Sequence, residues 1–228
     1  MGGYAYHVLN RANGRLRLFR KDADFAAFDQ IVEAAHEHVP LRILGYVVMG
    51  NHWHFVVWPR RDRGQEVSEF FRWLTVTHAQ RWRAHHNTSG MGHVYQGRFK
   101  SFPVAADEHL LGVLRYVERN PLRAGLVRRA EKWRWGSLHR RVSGTEAERN
   151  LLAEPPAPLG DDWIRHVNAP QSKAELDAIR RAVNRGQPFG GERWTAKVTG
   201  QLGLAHTFRP RGRPKKQIAG VPSEPRKK

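Results

Sequence analysis

His52-Trp53-His54 is the first place in this chain where residue types and spacing suggest chemistry. On an extended strand side chains alternate, so the two imidazoles face one way while Trp53, Phe55 and Val57 face the other. Two imidazoles converging on one point are a candidate metal pair, and a strand buried on its Trp53 side would hold them rigidly. Pairs of His two residues apart also occur without any ligand role, and two are too few for a closed site, so a third group must come from elsewhere. A helix starting near Asp107 supplies a candidate. At about 100° per residue, Gly112, Tyr116 and Asn120 share a face roughly a third of a turn from the apolar stripe of Leu110, Leu114 and Val117. Asn120 carries a hard carboxamide oxygen that could complete a His52, His54, Asn120 set for Mg²⁺ or Mn²⁺, although Zn²⁺ or Co²⁺ would also suit the imidazoles. Tyr116 reads either as a phenol beside that set or as a boundary aromatic with its hydroxyl in water.

The partner that such a site would meet is suggested by charge. The chain has 228 residues with 39 Lys+Arg against 21 Asp+Glu, a formal net charge of +18, which points to a polyanion. Half of that excess lies in Arg193 to Lys228, where ten basic residues stand against Glu224 alone. Within it, Pro210-Arg211-Gly212-Arg213-Pro214 resembles the core of an AT-hook, an extended basic strip able to enter a narrow minor groove. Arg211, Arg213, Lys215 and Lys216 are therefore expected to contact DNA, at least through phosphates. With no Cys, disulfides, thiolate zinc sites, iron–sulfur clusters and a Cys nucleophile are excluded. The apolar runs near Ile43 to Met49 and Phe55 to Trp58 are too short to span a bilayer, and Met1 to Leu16 lacks the pattern of a leader. A soluble cytoplasmic, nucleoid-associated protein is the expectation.

Strands are expected at Tyr4–Asn10, at Leu16–Phe19, and in a hairpin of Leu41–Met49 and His52–Trp58 joined at Gly50-Asn51; Phe99–Val104 adds another. Helices are expected after Asp22 or Asp24, from Glu66 to His86, and from an Asp107 cap to Asn120, where Pro121 ends the third. This order suggests an α+β, ferredoxin-like (RRM-like) antiparallel sheet flanked by helices, with a basic C-terminal extension. The expected division is a catalytic domain over 1–140, a Pro-rich linker over 141–171, and a short helix with a basic tail over 172–228.

Three motifs then carry a resemblance. Gly50-Asn51-His52-Trp53-His54-Phe55, His93 to Ser101 (HVYQGRFKS) and Arg115 to Val127 (RYVERNPLRAGLV) look like the single-tyrosine HUH transposases, in the branch associated with repetitive extragenic palindromes. The likeness runs from Tyr4 to about Ser137, with Trp53 unusually large for the middle position and Tyr95 standing where Trp is common. It implies that His52, His54 and Asn120 hold a divalent metal, Mg²⁺ or Mn²⁺, and that Tyr116 is the nucleophile. It also implies a substrate of single-stranded DNA with hairpins, cleaved through a 5′-phosphotyrosine and rejoined. A phenol ordinarily titrates near pH 10, so Tyr116 needs help, and Arg115 or Arg119 is the expected source. Arg98, Lys100, Arg123, Arg128 and Arg129 are candidates for phosphate contact, and Trp73, Trp82, Trp133 and Trp135 for base stacking. The other histidines read as surface or packing residues. Monomer and homodimer, the latter exchanging its tyrosine helix, both remain open. So do two other functions on the same scaffold: a non-catalytic DNA-binding protein, and a metal hydrolase that uses water.

Overall fold

A computed structural model of the chain describes residues 2–210. Four strands, β1 (Ala5–Arg11), β2 (Ile43–Met49), β3 (His52–Val57) and β4 (Lys100–Val104), form one antiparallel sheet in the order β2-β3-β1-β4. Helix α1 (Asp22–His38) links β1 to β2 and α2 (Glu66–His85) links β3 to β4. The result is the split βαβ topology of a ferredoxin-like sheet, as the order of elements led us to expect.

Both crossover helices lie on one face because their apolar stripes and the inward side chains of the strands form one cluster: Phe28, Val32, Phe70, Phe71 and Leu74 with Val8, Trp53, Phe55 and Val57. Trp53 is wholly buried there, and its indole N–H donates to the Tyr95 hydroxyl at 3.1 Å. The same hydroxyl bonds His78 Nδ1 at 2.7 Å. The large side chains of Trp53 and Tyr95 thus answer each other, since a buried indole N–H without a partner would be costly.

Helix α3 (Glu108–Glu118) packs on the opposite face, capped by the Asp107 carboxylate, which accepts from the His109 amide at 2.9 Å. Leu110, Val113, Leu114 and Val117 meet Leu44, Val47 and Val56. The approach is close at Gly45, where a Cβ would stand 2.7 Å from Leu114 Cδ2. Instead of running to Asn120, α3 stops at Glu118, and a one-turn helix α4 (Asn120–Arg123) follows at once. Pro121 is tolerated there because first-turn amides have no helical partner to lose.

Leu16–Phe19 does not form the expected strand. After a 3₁₀ turn at Asn13–Arg15 the chain is irregular, and Leu18 and Phe19 plug the α1 side of the core. The Ala12 amide donates to Asn51 O (2.9 Å) and the Phe19 amide to Gly50 O (3.1 Å), which pins the β2–β3 turn just before His52. At α1 the N-cap is Lys21 rather than an Asp; Asp24, in the first turn, accepts from the Arg20 and Lys21 amides.

Beyond α4 come α5 (Ser137–Ser143), α6 (Glu146–Asn150), α7 (Trp163–Asn168), α8 (Lys173–Arg185) and α9 (Glu192–Gln201). The stretch 141–171, read from the sequence as a linker, holds α6 and α7, and Trp163 and Val167 are buried in the α3 cluster. Ser172 and Glu175 close a capping box that starts α8, whose Ile179 and Ala182 join the same cluster. Helix α8 therefore lies against α3 and β4. Among the described residues no helix is long and apolar enough to cross a membrane. Arg211, Arg213, Lys215 and Lys216 fall outside the described residues.

Candidate active site

Strand register sets one wall of the site. Arg11 pairs with His52 and Leu9 with His54 across β1–β3, while Leu9 pairs with Lys100 across β1–β4. Directly paired residues present their side chains on the same face, so His52, His54, Arg11 and Lys100 all point toward α3. The opposite wall is α3 and α4, which contribute Tyr116, Asn120 and Arg123. Between them lies a cleft of about 430 Å³, lined also by Gln96, Gly97 and Arg98 and by Arg180, Val183 and Asn184 of α8.

The two imidazoles have ring centres 5.1 Å apart at 86°. The Tyr116 ring lies 6.2 Å from that of His54, perpendicular to it. His54 and Tyr116 are nearly enclosed, 4% and 7% exposed, whereas His52 is half-buried at the rim. Burial, aided by Arg11 and Arg123, pulls His52 down to about 4. Burial and the neighbouring His7 and His52 hold His54 well below the ordinary range. Both rings are therefore neutral at pH 7, the state in which imidazole nitrogen binds a metal.

These residues fit a divalent ion. His52 Nδ1–H donates to Asn51 Oδ1 at 2.7 Å, which leaves its Nε2 lone pair free to ligate. His54 Nδ1 is hydrogen-bonded to His7 Nε2 at 3.0 Å, so His54 too has only Nε2 uncommitted. Asn120 Oδ1 lines the same cleft and accepts one bond from Arg123 Nη2 at 2.9 Å, with a second lone pair to spare. Asp107, Glu108 and His109 also bring ligand atoms close together, but they sit at the far end of α3 and outside the cleft, with Asp107 occupied as the helix cap.

Among the described residues, five cations line the cleft, Arg11, Arg98, Lys100, Arg123 and Arg180, and no carboxylate does. That balance selects a polyanionic ligand. Of the residues expected to contact phosphate, Arg98, Lys100 and Arg123 line this cleft. Arg115 and Arg119 do not. Arg115 is buried and donates to the carbonyls of Ala169 and Pro170, and Arg119 donates to those of Val167 and Asn168. Both satisfy the C-terminal end of α7, where carbonyls lack helical partners. The cation at the phenol is Arg123, 4.2 Å above the Tyr116 ring. Arg129 pairs with Glu131, and Arg128 is exposed away from the cleft. The tryptophans are occupied in packing: Trp82 donates to Leu18 O, Trp133 donates to Val48 O, Trp135 stacks on Phe25 and Trp73 on His38.

Sequence reasoning missed Arg11, Arg180, Asn51 and His7. Arg11 and His7 were findable once β1 was paired with β3 in register. Arg180 had no local signal, because only the packing of α8 on α3 brings it to the cleft.

The family model described as "Transposase IS200 like" matches residues 2–120. A solved structure, "Structure of the REP associates tyrosine transposase bound to a REP hairpin", is similar at 17% identity with a TM-score of 0.49, over 75% of this chain and 91% of that one. No curated protein matches the chain.

Proposed function

The chain belongs to the IS200-like transposases and is thus a DNA-acting enzyme of transposase type, and on that premise we propose that it cleaves and rejoins single-stranded DNA through a 5′-phosphotyrosine on Tyr116. The observation that carries this reading is a phenol facing the inner of two neutral imidazoles in a cleft with five cations and no carboxylate.

The strand backbone enters between Arg98 and Lys100 on one side and Arg123 and Arg180 on the other, each neutralising phosphate charge. Tyr116 Oη attacks phosphorus, the P–O3′ bond breaks, and the departing 3′-oxygen takes up a proton. The phenol proton passes to solvent, and the charge of the Arg123 guanidinium over the ring favours the developing phenolate. Because the phosphotyrosine ester keeps the energy of the broken linkage, a 3′-hydroxyl can reverse the step without ATP. A divalent cation such as Mg²⁺ or Mn²⁺, held by His52, His54 and Asn120, would draw charge from the scissile phosphate. These three residues and Tyr116 line one cleft of a single chain, so the reading needs no exchange of the tyrosine helix. Preference for hairpin-flanked sites, and a supporting role for the basic tail, rest on the resemblance of the motifs.

The test is a hairpin-bearing single-stranded oligonucleotide incubated with the protein and Mg²⁺ and resolved on a denaturing gel. A protein–DNA adduct that vanishes in Tyr116→Phe and in chelator is expected. Cleavage surviving in Tyr116→Phe, or free ends without any adduct, would transfer the chemistry to water; hairpin binding with no product would leave a DNA-binding protein only.

A further inference from the structure

His7 is fully enclosed on β1, on the face of the sheet that carries the histidine pair. Its ring lies nearly parallel to that of His54, at 17° with centres 5.0 Å apart, and edge toward edge, so that its Nε2 lies 3.0 Å from His54 Nδ1. Phe102 closes one side at 4.9 Å and Tyr116 meets its edge at 6.5 Å. The remaining nitrogen, Nδ1, is buried with no hydrogen-bond partner among the described residues. As pure filling this is a poor choice, since an apolar ring would occupy the same space without an unpaired buried polar atom. Some other property of the imidazole must justify it, and the one contact it makes through nitrogen is with His54.

A ligating imidazole uses one nitrogen on the ion and donates the N–H of the other, and the acceptor of that N–H fixes both tautomer and ring orientation. For His52 the acceptor is Asn51 Oδ1, at the half-exposed rim. His54 is 4% exposed and has no water-facing alternative on its Nδ1 side. We infer that His7 is the positioning residue of the metal site: it accepts the Nδ1–H of His54 and so leaves the His54 Nε2 lone pair facing the cleft. The two ligands thereby acquire their acceptors from different elements, one from the β2–β3 turn and one from the neighbouring strand. A third histidine takes part without ever touching the ion.

This rests on the reading of His52 and His54 as ligands, so the experiment separates the two. Mn²⁺ is titrated into the full-length protein and its variants, and free ion is followed by electron paramagnetic resonance. His52→Ala should lose binding; if it binds like the unaltered chain, the ligand pair itself is wrong and His7 falls with it. With the pair upheld, His7→Phe, which keeps the ring and removes the acceptor, should weaken Mn²⁺ binding about 10- to 100-fold. His7→Gln, which sets an amide oxygen near the place of Nε2, should keep most of the affinity. Equal affinity in His7→Phe, or equal loss in His7→Phe and His7→Gln, would overturn the inference. A measurement on the unaltered chain guards against misfolding of the variants: long-range ¹H–¹⁵N correlation should show the His54 proton on Nδ1, and a proton on Nε2 would refute it.

Discussion

The Arg123 guanidinium lies 4.2 Å above the centre of the Tyr116 ring and donates to Asn120 Oδ1 at 2.9 Å, so one half-buried cation joins the proposed nucleophile to the proposed third ligand. Burial and the nearby Arg180 pull its pKa down and the neighbouring Tyr116 pushes it back up, but arginine stays charged in any case. Replacing Arg123 with Gln should slow adduct formation about 100-fold in single turnover, the usual cost of removing a group aimed at developing charge. Arg123→Lys should recover only part of that, because an ammonium cannot both stack on the ring and hold the carboxamide.

Strand binding should be steeply salt-dependent. Each phosphate contact to a single strand adds about 0.7 to the slope of log K against log salt. Arg180→Ala should lower that slope by about one contact, although Arg180 lies outside the residues matched by the family. Arg128→Ala, a control outside the cleft, should leave it unchanged. The check is fluorescence anisotropy of a labelled oligonucleotide over a salt series.

Arg115 should act on stability and not on DNA. It is buried, bonds two carbonyls after α7, and lies 3.8 Å from Glu175 of α8. Arg115→Ala should destabilise the chain by about 2–3 kcal/mol and loosen α7 and α8 from α3, visible as a lower denaturation midpoint and faster proteolysis near Pro170. Weakened strand binding with an unchanged midpoint would contradict this placement.

Acid should destabilise the site through its histidines. In the unfolded chain an imidazole takes up a proton near pH 6.5, whereas burial lowers His7 to about 3 and His52 to about 4 and holds His54 well below the ordinary range. The unfolded state thus binds more protons between about pH 4 and 6.5, so stability from these groups is complete above 6.5 and is lost as the pH falls through that window. Asp29 and Glu118, whose carboxyls burial pushes up, work in the opposite sense. The difference between the unaltered chain and His7→Gln isolates one imidazole: the variant's thermal midpoint should fall less steeply from pH 6.5 to 5.

Much of this fold lay open in the order of residues. The period-2 pattern at His52–Val57 and the helical stripes at Phe25–Ala35, Val67–Leu74 and Leu110–Val117 each come from burying apolar side chains at a fixed spacing, a rule a linear chain states by itself. The motif residues Tyr116 and Asn120 were likewise visible, since they lie one turn apart and away from the α3 stripe. Leu16–Phe19 misled because buried apolar residues mark a core plug as well as they mark a strand.

Residue types and their local spacing therefore determined which groups were available: two imidazoles on one strand face, a phenol and a carboxamide four residues apart at the α3–α4 junction, and an excess of cations. Only tertiary structure decided their employment. Strand register set His7 behind His54 and Arg11 beside His52, and the docking of α7 and α8 on α3 drew Arg115 and Arg119 away from the tyrosine while bringing Arg180 toward it. The physical reason is range. Periodicity acts over a few residues, but hydrogen bonding and charge act through space between segments more than a hundred residues apart, and folding chooses those neighbours by packing.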